Sequence, residues 1–532
     1  MIARSWLGHV PRQHSDGFAR HLADTALAEC ARIAGYAGAQ VLRRTTGDTV
    51  EFHLTTYWHS WEALRRFAGN DADRAVGYPG DEAFGLVGEP RVENREVAAV
   101  VPPVAPEPAA GTVAFVGGYV VPMTAAPIPD GTVLVRDGVI AAVGPRAEVA
   151  VPDDVPVVDA AGAWVLPGFV EPHAHLGIDE EASGWAGDDL NEKTDPNGAR
   201  LRALDGINPA DLGFVDALAG GVTTAVVLPG SANPIGGRAV AVKCWGRTVE
   251  DMLLREPVGV KSALGENPKR VWGDRGTLPS TRLGIAAVIR DAFGRARDYR
   301  ARRDVAAVAG DPFDHDPTLD LLVRVLDREL PWCQHVHRAD DIATALRLAD
   351  EFGYRLILNH GTEAHLLADL IAARGVPVVS GPLMMNRAKN ELRHRSLRGP
   401  GILARAGVLL ALTTDHSTVP AEYLVHQAIL AVKEGLDRDT ALRAITANPA
   451  GILGLDDRVG GLRPGLDGDV VLWSGDPLDV MSRALHVYLG GRQVYRYDFG
   501  RGTGVTASPY PVSSPAEGAT RRESGIRFQP SD

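Results

Sequence analysis

Four histidines and one aspartate stand where apolar runs of the chain end. His173 and His175 are two residues apart, so on a strand both imidazoles point to the same side and can share one divalent ion. His337, His360 and Asp415 close three later runs. Imidazole and carboxylate groups gathered in this way are suited to binding metal ions and to moving protons. The pattern therefore predicts one chemical site rather than five unrelated polar residues.

The segments that must position these residues alternate between strand-like apolar runs and helical periodicity over about 290 residues. This alternation favours βα repeats and a parallel sheet, and therefore an α/β fold. Eight runs can be counted, which is the number of strands in a (β/α)8 barrel, whose active face lies at the carboxyl ends of the strands. The runs end near His175, Leu228, Trp245, Glu266, His337, His360, Gly381 and Asp415.

Short β runs with turn residues lie on both sides of the barrel pattern. The barrel covers residues 167–456, and the flanking β runs cover 112–166 and 457–497. Two β segments that enclose a barrel in sequence predict one small β-sandwich built from both flanks. Residues 498–532 are rich in Gly, Ser, Pro and Thr without periodicity, so we expect a disordered tail.

The first 100 residues form a separate pattern. Two runs of alternating polarity, 41–45 and 49–54, meet at a turn signal and predict a hairpin, and helical patterns lie on either side of it. We expect a small ferredoxin-like α+β domain over residues 1–100. The proline-rich segment 101–111 cannot continue a helix or a central strand, so it is expected to be a linker.

Composition excludes several classes of partner. The 532 residues carry 55 basic and 67 acidic side chains, for a formal net charge of −12, which argues against binding nucleic acid or an anionic membrane. Three distant cysteines support neither a disulfide framework nor a cysteine-based zinc site. With no signal-like apolar segment near Met1, we expect a cytoplasmic protein whose partner is a small-molecule substrate.

Several motifs resemble the amidohydrolase superfamily over about residues 113–497. They are LPGFVEPHAH at 166–175, His337, His360, the pair Thr414-Asp415, ANPAGILGL at 447–455 and LRPGLDGDV at 462–470. The resemblance is closest to the imidazolonepropionase-like branch, through GENPKR at 265–270, HRADDI at 337–342 and TDH at 414–416. It implies a metal-bearing hydrolase barrel beside a split sandwich, the same layout that the periodicity predicts.

The resemblance also implies a mechanism. One or two divalent ions would be held by His173, His175, His337, His360 and Asp415, with zinc first and manganese, iron or nickel also suited to such ligands. A bound ion lowers the pKa of water and polarises a carbonyl. Asp415 would act as general base and then general acid, and His360 would assist at the oxyanion. The expected reaction is hydrolysis of a C–N bond in an amide, a cyclic amide or a peptide-like substrate.

A bridging ligand is expected from the third or fourth strand, where the chain offers two candidates. Pro257 lies four residues before Lys261 and leaves little strand to raise that side chain to the active end, whereas Glu266 ends the run. This favours Glu266, with Lys261 as the alternative.

Further residues are candidates for contacting the substrate. Arg338, Lys389 and His416 flank the expected site and are suited to binding a carboxylate. His335 shares a face with His337 and is expected to support it. The acidic stretch 179–195 either favours a cationic substrate or is an ordinary solvated loop.

The N-terminal domain resembles the dimeric α+β barrels of the antibiotic-biosynthesis monooxygenase type through TTYWHSWEAL at 55–64. We expect it to promote a homo-oligomer. The alternative is a cofactor-independent monooxygenase or binding module in residues 1–100 joined to an inactive barrel, but the intact ligand set of the barrel argues against loss of its activity.

Overall fold

A computed structural model describes residues 1–97 and 111–508 of the chain. The protein divides into two compact units, Met1–Pro106 and Glu107–Asp532, which are called the N-terminal unit and the C-terminal unit. Within the described residues, no helix is long and apolar enough to cross a membrane.

The N-terminal unit is a five-stranded antiparallel sheet with helices packed on one face. Its sheet order is β2-β3-β1-β4, and β5 also pairs with β1. Alternate residues of β3 are buried against the helices, including Phe52 and Trp58, as a half-buried strand requires. The elements are β1 (Ile2–Pro11), α1 (Ser15–Leu22), α2 (Ala28–Ala31), β2 (Tyr36–Thr46), β3 (Thr49–Trp58), α3 (Trp61–Ala68), β4 (Val87–Gly88) and β5 (Glu93–Glu96).

The hairpin expected around residues 41–54 corresponds to β2 and β3, which pair from Tyr36 with Trp58 to Thr46 with Thr49. The last strand of the unit, β5, ends at Glu96. All of the expected linker except Gly111 lies outside the described residues.

In the C-terminal unit, a nine-stranded sheet is assembled from both sides of the barrel segment. Its order is β22-β21-β20-β19-β10-β6-β7-β8, and β9 also pairs with β6. Thr503–Thr506 pairs with the preceding strand, so the sheet continues beyond the expected boundary at residue 497. The strands are β6 (Val113–Val120), β7 (Ile128–Arg136), β8 (Val139–Pro145), β9 (Val157–Asp159), β10 (Trp164–Pro167), β19 (Val470–Trp473), β20 (Ala484–Leu489), β21 (Arg492–Asp498) and β22 (Thr503–Thr506).

The second sheet of this unit has eight strands in sequence order and curves into a nearly closed barrel. Each of the eight expected runs supplies one strand. The strands are β11 (Phe169–Ala174), β12 (Val222–Val227), β13 (Ile235–Lys243), β14 (Leu253–Ala263), β15 (Trp332–Val336), β16 (Leu356–His360), β17 (Val378–Ser380) and β18 (Leu410–Leu412).

The expectation of a wholly parallel sheet is corrected at one strand. β13 runs antiparallel to both β12 and β14, whereas the remaining neighbours are parallel. The connection from β12 to β13, residues 228–234, is short. A parallel pair needs a crossover of about a dozen residues or more, so this connection permits only the antiparallel arrangement.

Helices pack around the barrel and are bounded by ordinary capping residues. The longest, Arg282–Ala309, begins after Thr281, whose side chain accepts a hydrogen bond from the Gly284 amide, and ends at Gly310 with φ of 72°. The helices are α4 (Leu212–Ala219), α5 (Val249–Met252), α6 (Glu266–Gly273), α7 (Arg282–Ala309), α8 (Pro317–Leu326), α9 (Ala339–Phe352), α10 (Ala368–Ala373), α11 (Gly399–Arg405), α12 (Leu424–Lys433), α13 (Arg438–Arg443) and α14 (Ala447–Leu453).

Candidate functional site

The first and last strands of the barrel bring two histidines to one aspartate. His173 lies near the end of β11, and Asp415 follows β18 by three residues. Asp415 Oδ1 is 3.3 Å from His173 Nε2 and 3.5 Å from His175 Nε2. Residues from the first and last strands of the barrel therefore form one cluster.

Two histidines from the middle strands complete this cluster. His360 ends β16, and its ligand atom lies within 4.8 Å of those of His173 and Asp415. The ring centroids of His360 and His337 are 5.2 Å apart. All four histidines are buried, while the Asp415 side chain keeps 17% of its surface exposed. The carboxylate is thus the member of the cluster most open to the cavity above.

Hydrogen bonds at Nδ1 fix the orientation of three of the imidazole rings. His175 Nδ1 is 2.7 Å from the Leu228 carbonyl, and His360 Nδ1 is 3.0 Å from the Gly381 carbonyl. Because a carbonyl only accepts, each Nδ1 carries the proton, and each Nε2 keeps its lone pair. His337 Nδ1 makes a similar contact of 2.8 Å with a threonine hydroxyl. Such outer contacts orient metal-ligating histidines.

Lys261, and not Glu266, is the bridging candidate that reaches these histidines. Lys261 is fully buried, and its Nζ is 3.2 Å from His173 Nε2. Glu266 begins helix α6, where its amide donates to Glu391 at 2.6 Å. The strand that carries the lysine starts at Leu253 and continues through Pro257. This longer strand lifts Lys261 to the active end, which is the physical reason that the sequence preference for Glu266 differs from the observed placement.

Burial dominates the electrostatics of the cluster. It lowers the pKa of Lys261 to about 8 and that of His360 to about 4, and holds the pKa of His173 well below its usual value. Burial alone would raise the pKa of Asp415, but His360, His173 and His175 outweigh it and hold that pKa well below its usual range. His173 and His360 are therefore neutral imidazoles beside an ionised carboxylate, which is the protonation state that metal ligands require.

The residues present fit a divalent ion. His360 Nε2 is buried and has no hydrogen-bond partner among the described residues, although buried polar atoms are normally satisfied. It lies with a second imidazole and a carboxylate at ligand spacing. This donor set of nitrogen and oxygen atoms suits zinc and several other divalent metals.

A buried glutamate that sequence reasoning left without a role lies beneath the cluster. The Glu171 carboxylate is 2.6 Å from the Thr413 hydroxyl, 2.7 Å from the Thr414 hydroxyl and 2.9 Å from the Thr414 amide. It also accepts from the His173 amide at 3.2 Å. Burial raises the pKa of Glu171 to about 7, against the opposing effect of these hydrogen bonds. Glu171 thereby ties the HxH segment to the segment that carries Asp415, and only its position in EPHAH hinted at this.

A cavity of about 540 Å³ opens above the cluster. His175, His337 and Asp415 form part of its lining, and Lys389 lies on its wall. Its lining is completed by Asp179, Leu190, Asn191, Lys193, Gly230, Ser231, Ala232, Asn267, Arg270, Val271, His335, Pro382, Met385, Ala388, Leu392, Ser417 and Thr418.

Of the three expected substrate contacts, only Lys389 lines this cavity. Arg338 is drawn to Asp340, two residues further on, by contacts of 2.8 and 2.9 Å, and lies outside the lining. His416 is fully buried, and its Nδ1 accepts from the Ala421 amide at 3.2 Å. Local pairing thus places Arg338 and His416 away from the cavity.

His335 belongs to a second group of polar atoms at the cavity. Its Nδ1 is 2.9 Å from the Ser231 hydroxyl, and its Nε2 is 3.4 Å from the Asn267 amide nitrogen. The ligand atoms of His335, His337 and Glu391 lie within 4.8 Å of one another. Lys389 Nζ lies 3.7 Å from Glu391, so an ammonium group already offers this carboxylate a counter-charge.

Part of the C-terminal unit matches a known protein family. The amidohydrolase family pattern matches residues 287–495. A crystal structure of an amidohydrolase from Thermotoga maritima is 42% identical in sequence, covers 72% of this chain and all of its own, and has a TM-score of 0.70.

Two curated proteins are also similar to this chain. Amidohydrolase tasK of Hapsidospora irregularis is 30% identical over 386 residues, which is 68% of this chain and 39% of that protein. The chain therefore spans well under half of that relative. An imidazolonepropionase of Symbiobacterium thermophilum is 29% identical over 390 residues, covering 66% of this chain and 85% of its own.

Proposed function

The chain belongs to the amidohydrolase family, and we propose that it is a metal-dependent hydrolase that cleaves a C–N bond in an amide, a cyclic amide or a peptide-like small molecule. The observation that carries this proposal is the convergence of His173, His360 and Asp415 within 4.8 Å at the base of a cavity. The similarity to an imidazolonepropionase supports the imidazolonepropionase-like branch of the family.

The proposed ligands are residues whose lone pairs already face the cluster. His173, His175, His360 and Asp415 would hold one or two divalent ions, zinc foremost, with His337 beside them. Such an ion, when bound, supplies an activated water and polarises the scissile carbonyl.

Lys261 is the bridging group that we propose in place of Glu266. Its amine is buried against His173, and the strand holds it there. Burial of the amine with no carboxylate in hydrogen-bond contact among the described residues is costly for an ammonium ion. Reaction of the neutral amine with CO2, with loss of one proton, would give a carbamate whose two oxygen atoms are suited to bridging two ions.

Asp415 is the residue that we propose to move the proton. Its partly exposed carboxylate faces the cavity, while Thr418 Oγ1 holds the other oxygen at 3.1 Å. In this role it accepts a proton from the attacking water and delivers it to the departing nitrogen. The histidines would instead use their Nε2 lone pairs to hold the ion, so those nitrogens would not be available to take this proton.

Metal analysis and one substitution test the proposal together. Purified protein should contain one to two divalent ions per chain, measured by inductively coupled plasma mass spectrometry, and should hydrolyse members of a panel of dipeptides, N-acyl amino acids and cyclic imides. Asp415→Asn should lower turnover by a factor of about 10³ or more while metal remains bound. Protein without metal that zinc or manganese does not activate would contradict the metal assignment, and retained turnover in Asp415→Asn would exclude it as the base.

For the N-terminal unit we propose a role in forming a homo-oligomer. Helices cover one face of its sheet, while strand β2 is exposed at nearly every position and Leu42 keeps 52% of its surface exposed. Strand β2 also lies at the edge of the sheet, and an exposed edge strand is suited to pairing with a second copy. In the full chain, Leu42→Glu should shift the oligomer to a smaller species on size-exclusion chromatography with light scattering, whereas Leu42→Ile should not. Identical masses for all three proteins would argue against this role.

A further inference from the structure

We propose that the substrate carries a carboxylate beside its scissile bond, and that Lys389 binds it. This rests on the proposed hydrolase function and names the substrate class for the same cavity. The supporting observations concern the charges that line the cavity, the direction in which the acidic loop points, and the contacts that hold the lysine.

The cavity lining has an excess of basic side chains although the whole protein is acidic. Lys193, Arg270 and Lys389 line it, against two carboxylates, Asp179 and Asp415. Asp415 is engaged by the two histidines of the cluster. Asp179 accepts a hydrogen bond from the Ser417 hydroxyl. Both carboxylates therefore already have partners within the protein.

The acidic loop, which raised the alternative of a cationic substrate, directs its other carboxylates elsewhere. Glu180 accepts from Asn208 at 2.7 Å, and Asp195 accepts from the Asn197 amide at 2.9 Å. Glu192 accepts from the amide and hydroxyl of Thr194, and none of these three lines the cavity. The alternative interpretation, an ordinary solvated loop with local hydrogen bonds, therefore applies to these three carboxylates.

Lys389 is the basic residue that the structure holds in a fixed place. Its Nζ is 3.0 Å from Asn267 Oδ1 and 3.7 Å from Glu391. Glu391 is itself held by Arg282 at 3.1 Å and by the Glu266 amide at 2.6 Å. An ammonium group has three donors, so at least one remains for a ligand. The lysine is mostly buried, with 21% of its side chain exposed, and an ion pair formed there is screened less than one in open solvent.

The other two basic residues of the lining also favour an anionic substrate. Arg270 is exposed on α6, and Lys193 is half-buried in the first loop. No carboxylate of the described residues lies within ion-pair distance of either group. An anion that enters the cavity thus meets unpaired positive charge before it reaches the lysine, whereas a cation meets repulsion.

The test compares amides that differ only in the carboxylate. N-acetyl-L-phenylalanine and N-(2-phenylethyl)acetamide share the scissile bond, and equivalent pairs extend the panel to other side chains. For the wild-type metal-loaded chain, we expect kcat/KM to favour the acid by about tenfold to a hundredfold, the range for a hydrogen bond to a charged group. Lys389→Met should bring this ratio close to one, mainly through KM. Lys269→Met, a neighbouring exposed lysine outside the cavity lining, is the matched control and should keep it.

Binding is measured separately from turnover by calorimetric titration of both compounds into Asp415→Asn. Tighter binding of the acid that is lost in the double variant with Lys389→Met supports the proposal. Equal binding and equal turnover of acid and neutral amide would overturn it while leaving C–N hydrolysis intact. A preference for the acid that survives Lys389→Met would overturn the assignment to this lysine. Absence of turnover for every amide, with acid binding retained, would instead count against the hydrolase function.

Discussion

The floor of the cavity and its wall are built in different ways. The floor residues His173, Lys261 and His360 lie on barrel strands, are buried, and are each fixed by neighbouring strands or by a second hydrogen bond. On the wall, Lys389 comes from a connecting segment and is positioned by a chain of polar contacts through Glu391. Strand ends give precise metal geometry, whereas loops supply the charges that select a substrate. Changes to the floor should thus abolish the reaction, and changes to the wall should alter what it acts on.

The largest effect is expected from the two bridging candidates. Lys261→Met should lower bound metal and reduce turnover by a factor of about 10³ because it removes the amine beside His173. Glu266→Gln should retain metal and most activity because this side chain lies at the start of α6. Metal content by mass spectrometry and steady-state kinetics measure both. The reverse pattern would restore Glu266 as the bridging ligand.

A smaller effect is expected from the glutamate beneath the floor. Glu171→Gln places an amide NH2 against the Thr413 and Thr414 donors, so at least one buried donor loses its acceptor. This should lower the free energy of unfolding by about 2 to 3 kcal/mol, measured by urea denaturation. It should also leave His173 and Asp415 less firmly positioned.

Glu192→Gln is the matched control for Glu171 because Glu192 is fully exposed, so this change should not alter the denaturation midpoint. An unchanged midpoint for Glu171→Gln as well would show that Glu171 does not tie the two strands energetically.

The smallest effect is expected on the wall. Glu391→Gln keeps the shape of the side chain but removes the negative charge that Lys389 and Arg282 share. We expect KM for an acidic substrate to change several-fold while kcat is nearly retained, because the ligand cluster is untouched. An equal fall in kcat, with metal lost, would mean that Glu391 is a metal ligand with His335 and His337 rather than a positioning residue.

Local periodicity was sufficient to predict much of the barrel and the placement of its histidines. The run that ends at His360 and the run that leads to Asp415 predict strands because apolar content and flanking turns are local properties. The antiparallel direction of β13 was missed because it depends on the length of a connection, although the seven residues available could have shown it. The sequence favours Glu266 over Lys261 as the bridging ligand because the effect of Pro257 on the length of the strand depends on the neighbouring strands.

The sequence by itself determined which residue types stand at strand ends, and with them the prediction of a metal-dependent hydrolase of the amidohydrolase family. The tertiary structure decided which of these groups meet. It placed Lys261 against His173, joined Glu171 to the threonines before Asp415, and turned Arg338 toward Asp340 and out of the cavity. The physical reason is that strand positions follow from short-range periodicity, whereas hydrogen bonds and ion pairs between segments up to 243 residues apart depend on how the whole barrel packs.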